Sequence, residues 1–321
     1  MRSLFGLFVV SSAVVFADHA YVTNLNSNSV SVIDTVSKNV IATIDVGQGP
    51  GEIAMTPDQR FAYVTSRTKD NTIVVIDTTT NRVVKTIKAG DRVEGLAFNS
   101  NGSYLYAANF QEMTISVLDT ATDIVVDVIP GGNLPHSVAI PSSGTNAYVS
   151  NFYGNDVSVI DMSLNAVIAT VPVGPVPRSI AITPDGKYAY VANSNSQHIE
   201  ENNGSVSVID LETNATVRTI VLQPQPMSLA ITPNGRYVYV CNKASNRVGT
   251  VLVIDTSINA IITAVPVGNN PYRIAFSADG KQAFAVSSEE NNVYVIDTQS
   301  NTVITKIEVG AYPRGIAIKS S

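Results

Sequence analysis

The chain has 321 residues, 45% of them hydrophobic and 14% charged, with a formal net charge of −6. That apolar content excludes a disordered chain, and the acidic total weighs against nucleic acid or an anionic membrane as a partner unless charge is locally segregated. Cys241 is the single cysteine, which excludes an internal disulfide.

In chain order, Met1-Arg2-Ser3 gives a short basic start, and Leu4 to Phe16 is an apolar run too brief to cross a bilayer as a helix. Val15 and Ala17 suit the −3 and −1 positions of a cleavage site, so residues 1–17 read as a signal peptide. Its removal takes Arg2 away and leaves a net charge of −7. No later segment has 18 apolar residues without a charge. The expectation is one exported domain over residues 18–321, not membrane-spanning and monomeric, in the periplasm, at the cell surface or in the medium.

The mature chain is a repeat. A Val-Ile/Leu-Asp triplet ends at Asp34, Asp77, Asp119, Asp161, Asp210, Asp255 and Asp297, with spacings of 43, 42, 42, 49, 45 and 42 residues. Such a period suits a four-stranded propeller blade. Within one period, Ser179 to Thr183 reads as an inner strand. Pro184-Asp185-Gly186 follows as a turn in which Gly takes the left-handed position. Tyr188 to Ala192, Val206 to Ile209 and Val217 to Leu222 then read as three further strands, with turn residues from Asp210 to Asn214.

The two ends are complementary in phase. The N-terminal copy begins at a second strand, Tyr21 to Asn24, while the C-terminus stops after a first strand, Arg314 to Ile318. One strand plus three completes a seventh blade and removes the exposed sheet edges of an open stack. The expected fold is therefore all-β: a seven-bladed propeller of four antiparallel strands per blade, closed by pairing of the terminal strands.

Tyr21-Val22-Thr23-Asn24, with its copies at 148–151, 190–193 and 239–242, resembles the YVTN repeat of seven-bladed propellers, as do the Ile-Ala-Ile-Thr-Pro-Asp-Gly and Val-Ile-Asp-Thr elements. The similarity covers residues 20–318. It implies a relationship to periplasmic YncE-like proteins and to the propellers of surface-layer proteins, and hence binding or scaffolding outside the cell. The family name identifies a fold better than a function.

Comparison of the copies locates the variable face. The turns after first and third strands are nearly uniform, whereas the loops after second and fourth strands vary and share the top face of a propeller. The longest is Ser194 to Gly204, which contains His198; Asn242 to Thr250, with Lys243 and Arg247, is a smaller insertion. Aligned on the small residue of each inner strand, the position three before it holds Gly51, Glu94, His136, Arg178, Met227, Tyr272 and Arg314, and the next position adds Glu52 and Arg273. These residues are expected to ring the channel mouth. There Arg178, Arg273 and Arg314 can fork onto a carboxylate or phosphate, and Glu94 with His136 can exchange protons. Phe110, Phe152 and Tyr153 follow second strands and can add aromatic walls; a rim of ion pairs alone is the competing reading.

The missing chemistry narrows the choice. Three histidines without a spaced Cys or carboxylate cluster make a poor metal signature. No Cys-x-x-Cys-His or Trp offers haem attachment or cofactor stacking, so no metal or cofactor is expected. There is no Gly-x-Ser-x-Gly nucleophile elbow. Cys241 fills a slot held elsewhere by Thr23, Thr65, Ala108, Ser150, Ala192 and Ser287 and reads as a packed residue. The leading expectation is a non-catalytic module that presents its top face to a protein, glycan or envelope component. The alternatives are a lactonase-like hydrolase or lyase using Glu94, His136 and Arg178, and nucleic-acid binding of the YncE kind.

Overall fold

The computed structural model describes residues 18–68, 71–195, 203–244 and 248–320. The expected signal peptide, His198 and Arg247 lie outside the described residues. The described chain forms seven four-stranded antiparallel sheets. Numbered from the N-terminus, blade 1 combines residues 19–45 with 313–319, and blades 2 to 7 span 50–88, 93–130, 135–172, 177–221, 225–266 and 271–308.

The second and third strands of each blade lie between neighbouring blades, so both of their faces are buried. In Tyr188–Asn193 every residue but the first is buried, as is all of Ser205–Asp210 except its last residue. That double burial explains the near-continuous β-branched and aromatic runs. Seven apolar clusters fill the seven blade interfaces, such as Tyr190, Val208, Leu229 and Val240 between blades 5 and 6. The outermost strands are largely exposed, and each is bulged against the third strand, which bends this edge away from regular pairing with another chain.

Local chemistry fixes the turns. The repeated aspartate caps the turn after each third strand: Asp210 Oδ1 accepts from the amides of Glu212 (3.0 Å) and Thr213 (2.9 Å), and Asp297 Oδ1 from Gln299 (3.0 Å) and Ser300 (2.7 Å). Gly186 takes the expected left-handed φ of +70° in the turn after the inner strand of blade 5. Tyrosines of the repeat then tie blades together. The hydroxyl of Tyr190 donates to Asn259 Oδ1 of the next blade at 2.7 Å, and Tyr106 makes the same bond to Asn165 at 3.1 Å. Burial pushes both hydroxyls up to about 12.

The ring closes as expected. Pro313–Lys319 pairs antiparallel with His19–Asn24, placing Tyr21 opposite Ala317 and Val22 opposite Ile316. Val22, Phe284, Val295 and Ile316 pack in the cluster that seals blade 7 against blade 1. Thr23 Oγ1 donates to the Gly51 carbonyl (2.6 Å) and accepts from the Gly315 amide (2.7 Å), stitching the terminal strands to blade 2.

The register corrects two details of the sequence reading. The inner strand of blade 5 begins earlier than expected, at Pro177 rather than Ser179, and that of blade 6 likewise takes in its mouth residue from Gln225, because the residues at the mouth stay in the strand through a bulge. The slot shared with Cys241 belongs to Val286 in blade 7, and Ser287 instead takes the position of the repeat asparagine. Cys241 is fully buried, and burial pushes its thiol up to about 12, as fits a packed protonated side chain.

Candidate ligand site at the channel mouth

Every pairing between inner and second strands slips by one residue at the mouth. In blade 5, Pro177 pairs with Asn193 and Ser179 with Ala192, leaving Arg178 without a partner; His136, Met227, Tyr272 and Glu94 are displaced in the same way. A bulge re-aims its extra residue, so the repeat sets one residue per blade out of the ladder at the mouth while the strand beneath stays paired. Proline precedes the extra residue in every blade but blade 3, where Val93 stands, and a proline at the start of a strand or a bulge forfeits no ladder bond. Two residues before Arg178, buried Val176 holds a φ of +56°, strain of about 1–3 kcal/mol for a β-branched residue. Its amide is held by Asn155 Oδ1 at 3.1 Å.

The ring gathers charge. Buried Glu94 accepts from Arg67 Nη1 through one oxygen and from Arg92 Nε (2.9 Å) through the other. Gly51 makes room for Arg67, since a Cβ there would meet its side chain at 2.9 Å. Arg273 of blade 7 pairs with Glu52 of blade 2, bridging the intervening blade 1 as a bar along that side of the channel. Arg178 lies over the Phe152 ring (4.8 Å) with Nε donating to Ser194 Oγ (3.1 Å). Arg314 lies over Tyr272 (4.3 Å) and near Tyr312 (5.9 Å), and its Nε and Nη1 are enclosed with no hydrogen-bond partner.

These groups lie near enough to perturb one another. Burial lowers Arg67 and Arg178 from the ordinary guanidinium value, and the charge of Arg314 lowers both further, against the pull of Glu94 and Tyr272. Guanidiniums remain charged through such shifts. Burial holds Glu52 above the usual carboxylate range, with Arg273 opposing. Burial, and then the charges of Arg178, Arg273 and Arg67, hold His136 well below its ordinary value. Its ring is stacked on Phe152 (5.8 Å, 19°) and edge-on to Phe110 (6.1 Å), and Nδ1 is buried without a partner.

Glu52, Glu94, His136, Arg178, Tyr272, Arg273 and Arg314 share the mouth, with Phe110 and Phe152 around His136 and half-exposed Tyr153 against Phe152. Glu94 and His136 are not hydrogen-bonded to each other; the first turns to Arg67 and Arg92, the second to the aromatic pair. Sequence reasoning missed Arg67 and Arg92, which lie in the variable loops rather than at an aligned inner-strand position.

His136 gives a direct check on this electrostatic picture. Its depressed folded pKa means the unfolded chain takes a proton that the folded chain refuses, so its contribution to stability is present above about pH 6.5 and is lost as pH falls below that. Urea midpoints for His136→Phe, which completes an aromatic trio, should fall less between pH 7.5 and pH 5.5 than those of the parent chain. Equal slopes would place a charged imidazole in the folded protein.

The fold and the mouth define a seven-bladed β-propeller with a cationic ring at one end of its axis. The family model for the choice-of-anchor I domain matches residues 94–316, and the chain belongs to that family. The model for the cytochrome D1 heme domain matches residues 16–149. Among solved structures, the chain is similar to a functionally unknown protein from Desulfotomaculum acetoxidans (TM-score 0.80, 17% identity, 94% of this chain and 99% of that one). It is similar to Kuenenia stuttgartiensis hydrazine synthase (0.77, 20%, 83% and 88%) and to the dihydro-heme d1 dehydrogenase NirN in complex with DHE (0.70, 16%, 93% and 74%). At these identities the likeness carries the fold alone. Among curated proteins none matches the chain.

The heme-domain match makes a heme a ligand to test against the residues. The arginines suit its carboxylates, but iron needs a reachable axial donor. His136 Nδ1 is sealed from the channel, and the ring is already engaged by the Arg178 backbone. Among the described residues no three His, Cys, Asp or Glu side chains gather to hold a metal ion. The imidazole at the mouth does not fit heme ligation.

Proposed function

We propose that the chain is an extracytoplasmic, non-catalytic binding propeller whose channel mouth takes a carboxylate or phosphate group, free or displayed on a glycan or other envelope component. One observation carries the reading. Among the described residues, Arg67, Arg92, Arg178, Arg273 and Arg314 have only Glu52 and Glu94 as ion-pair partners, so these side chains bring three positive charges in excess to the mouth of a chain of net charge −6. A positive, low-dielectric concavity in an acidic protein selects anions locally while the whole repels polyanions such as nucleic acid. The choice-of-anchor match and the signal-peptide pattern of residues 1–17 support a place outside the cytoplasm, and no described helix is long and apolar enough to cross a membrane.

Lactonase-like hydrolysis by Glu94, His136 and Arg178 has less support. A general base needs a free lone pair facing substrate, and both oxygens of Glu94 accept from guanidiniums. Calorimetric melting at fixed ionic strength, with chloride exchanged for small carboxylates or phosphate, tests the binding reading. A ligand that binds only the folded state raises Tm with its concentration. The rise is expected for the parent chain and should be much smaller for Arg178→Gln, with circular dichroism checking that the variant is folded. A panel in which no anion raises Tm would overturn the proposal.

A further inference from the structure

Resting on that anion-binding reading, we propose that the ligand carries two anionic groups, one taken by Arg178 and the other by Arg314, and lies across the mouth above the Arg273–Glu52 bar.

The pairing pattern selects those two residues. Arg67 and Arg92 share Glu94, and Arg273 has Glu52. Among the described residues Arg178 and Arg314 have no carboxylate partner, and the enclosed Nε and Nη1 of Arg314 have no acceptor at all. Arg178 stands on blade 5 and Arg314 on blade 1, with blades 6 and 7 between them on one side and blades 2, 3 and 4 on the other. They therefore face each other across the ring. Glu52 and Arg273 follow the mouth position by one residue, about 3.3 Å further along a strand. Their ion pair therefore lies one strand position deeper than the two guanidiniums.

Both guanidiniums are already oriented, Arg178 by Phe152 and Ser194 and Arg314 by Tyr272, so a ligand loses little affinity to side-chain ordering. With these ring faces covered by cations, the recognition is of charge rather than of a stacked aromatic group. A monoanion satisfies one guanidinium and leaves the other uncompensated. A second anionic group on the same molecule engages the other as an intramolecular event, at high effective concentration when the spacing matches. Dicarboxylates and diphosphates share this chemistry.

Isothermal titration of the full chain at constant ionic strength separates them. The dicarboxylate arm uses succinate, glutarate and adipate against butyrate, and the phosphate arm uses pyrophosphate against orthophosphate. At least one two-headed probe should bind tenfold or more tightly than its one-headed counterpart, and the arm in which it does names the source. Arg178→Gln and Arg314→Gln should each reduce that probe to the one-headed level, and the double variant should bind more weakly than either single one. Circular dichroism and melting like the parent's would show that the variants are folded. If butyrate or orthophosphate binds as tightly as every two-headed probe, or if the preference survives loss of either arginine, the two-group inference is wrong while anion binding stands. If no probe binds in either arm, both readings fail.

Discussion

Replacing Arg273 by Met should cost about 3–5 kcal/mol of stability at pH 7.5, the loss expected when one partner of a buried ion pair is removed and the other charge is left behind. Glu52 and Arg273 have only 17% and 14% of their side-chain surface exposed. Burial already raises the Glu52 pKa and Arg273 opposes that rise, so the variant carboxyl should go higher still. A carboxyl whose folded pKa exceeds its unfolded value of about 4.3 binds more protons in the folded state. Stability of the variant should then be greatest below that unfolded value and fall as pH rises through the folded one. Urea midpoints from pH 4.5 to 8 read the slope, and adding Glu52→Gln should recover most of the loss and flatten it. A variant with parental stability and no added slope would show that the bar contributes nothing.

Deleting residues 311–321 should abolish the folded monomer. The lost segment is the inner strand of blade 1, and with it go the pairing to Tyr21 and Val22 and the packing of Ile316 against Phe284 and Val295. Burying one such side chain contributes about 1.5–3 kcal/mol. Several of them, with a whole strand ladder, match the 5–15 kcal/mol that holds a typical domain together. The exposed edge of His19–Asn24 would also offer itself to other chains. Circular dichroism and size-exclusion chromatography should report unfolded or aggregated protein, whereas a monomer with unchanged melting would contradict closure through the terminal strands.

The ring was legible because blade phase is written in short local signals. Val-Ile-Asp or Val-Leu-Asp marks each third strand, Pro-Asp-Gly and Pro-Asn-Gly follow two of the inner strands, and Tyr21 begins at a second strand while Ile318 ends a first. The identities at the mouth followed from alignment on the inner-strand alanines. Their displacement from the ladder was less legible, although the prolines before Gly51, His136, Arg178, Met227, Tyr272 and Arg314 record the bulge that produces it. Nothing periodic marks Arg67 or Arg92, because each occurs once, in a loop whose counterparts carry other residues. The bar between Arg273 and Glu52 joins residues 221 positions apart in the chain, and only the circular arrangement brings them together. Ser287 is placed wrongly in the Cys241 slot because blade 7 reads Phe-Ala-Val-Ser where five blades open this motif with tyrosine and end it with asparagine, so neither residue fixes the frame.

A crystal structure of the chain grown with the tightest of the two-headed anions would test the cationic mouth most directly. The ligand should lie in the mouth with one anionic group on Arg178, the other on Arg314, and the Glu52–Arg273 pair intact beneath it. Ligand density confined to the outer clefts between blades, with both guanidiniums still resting on Phe152 and Tyr272 and touching nothing new, would contradict the account.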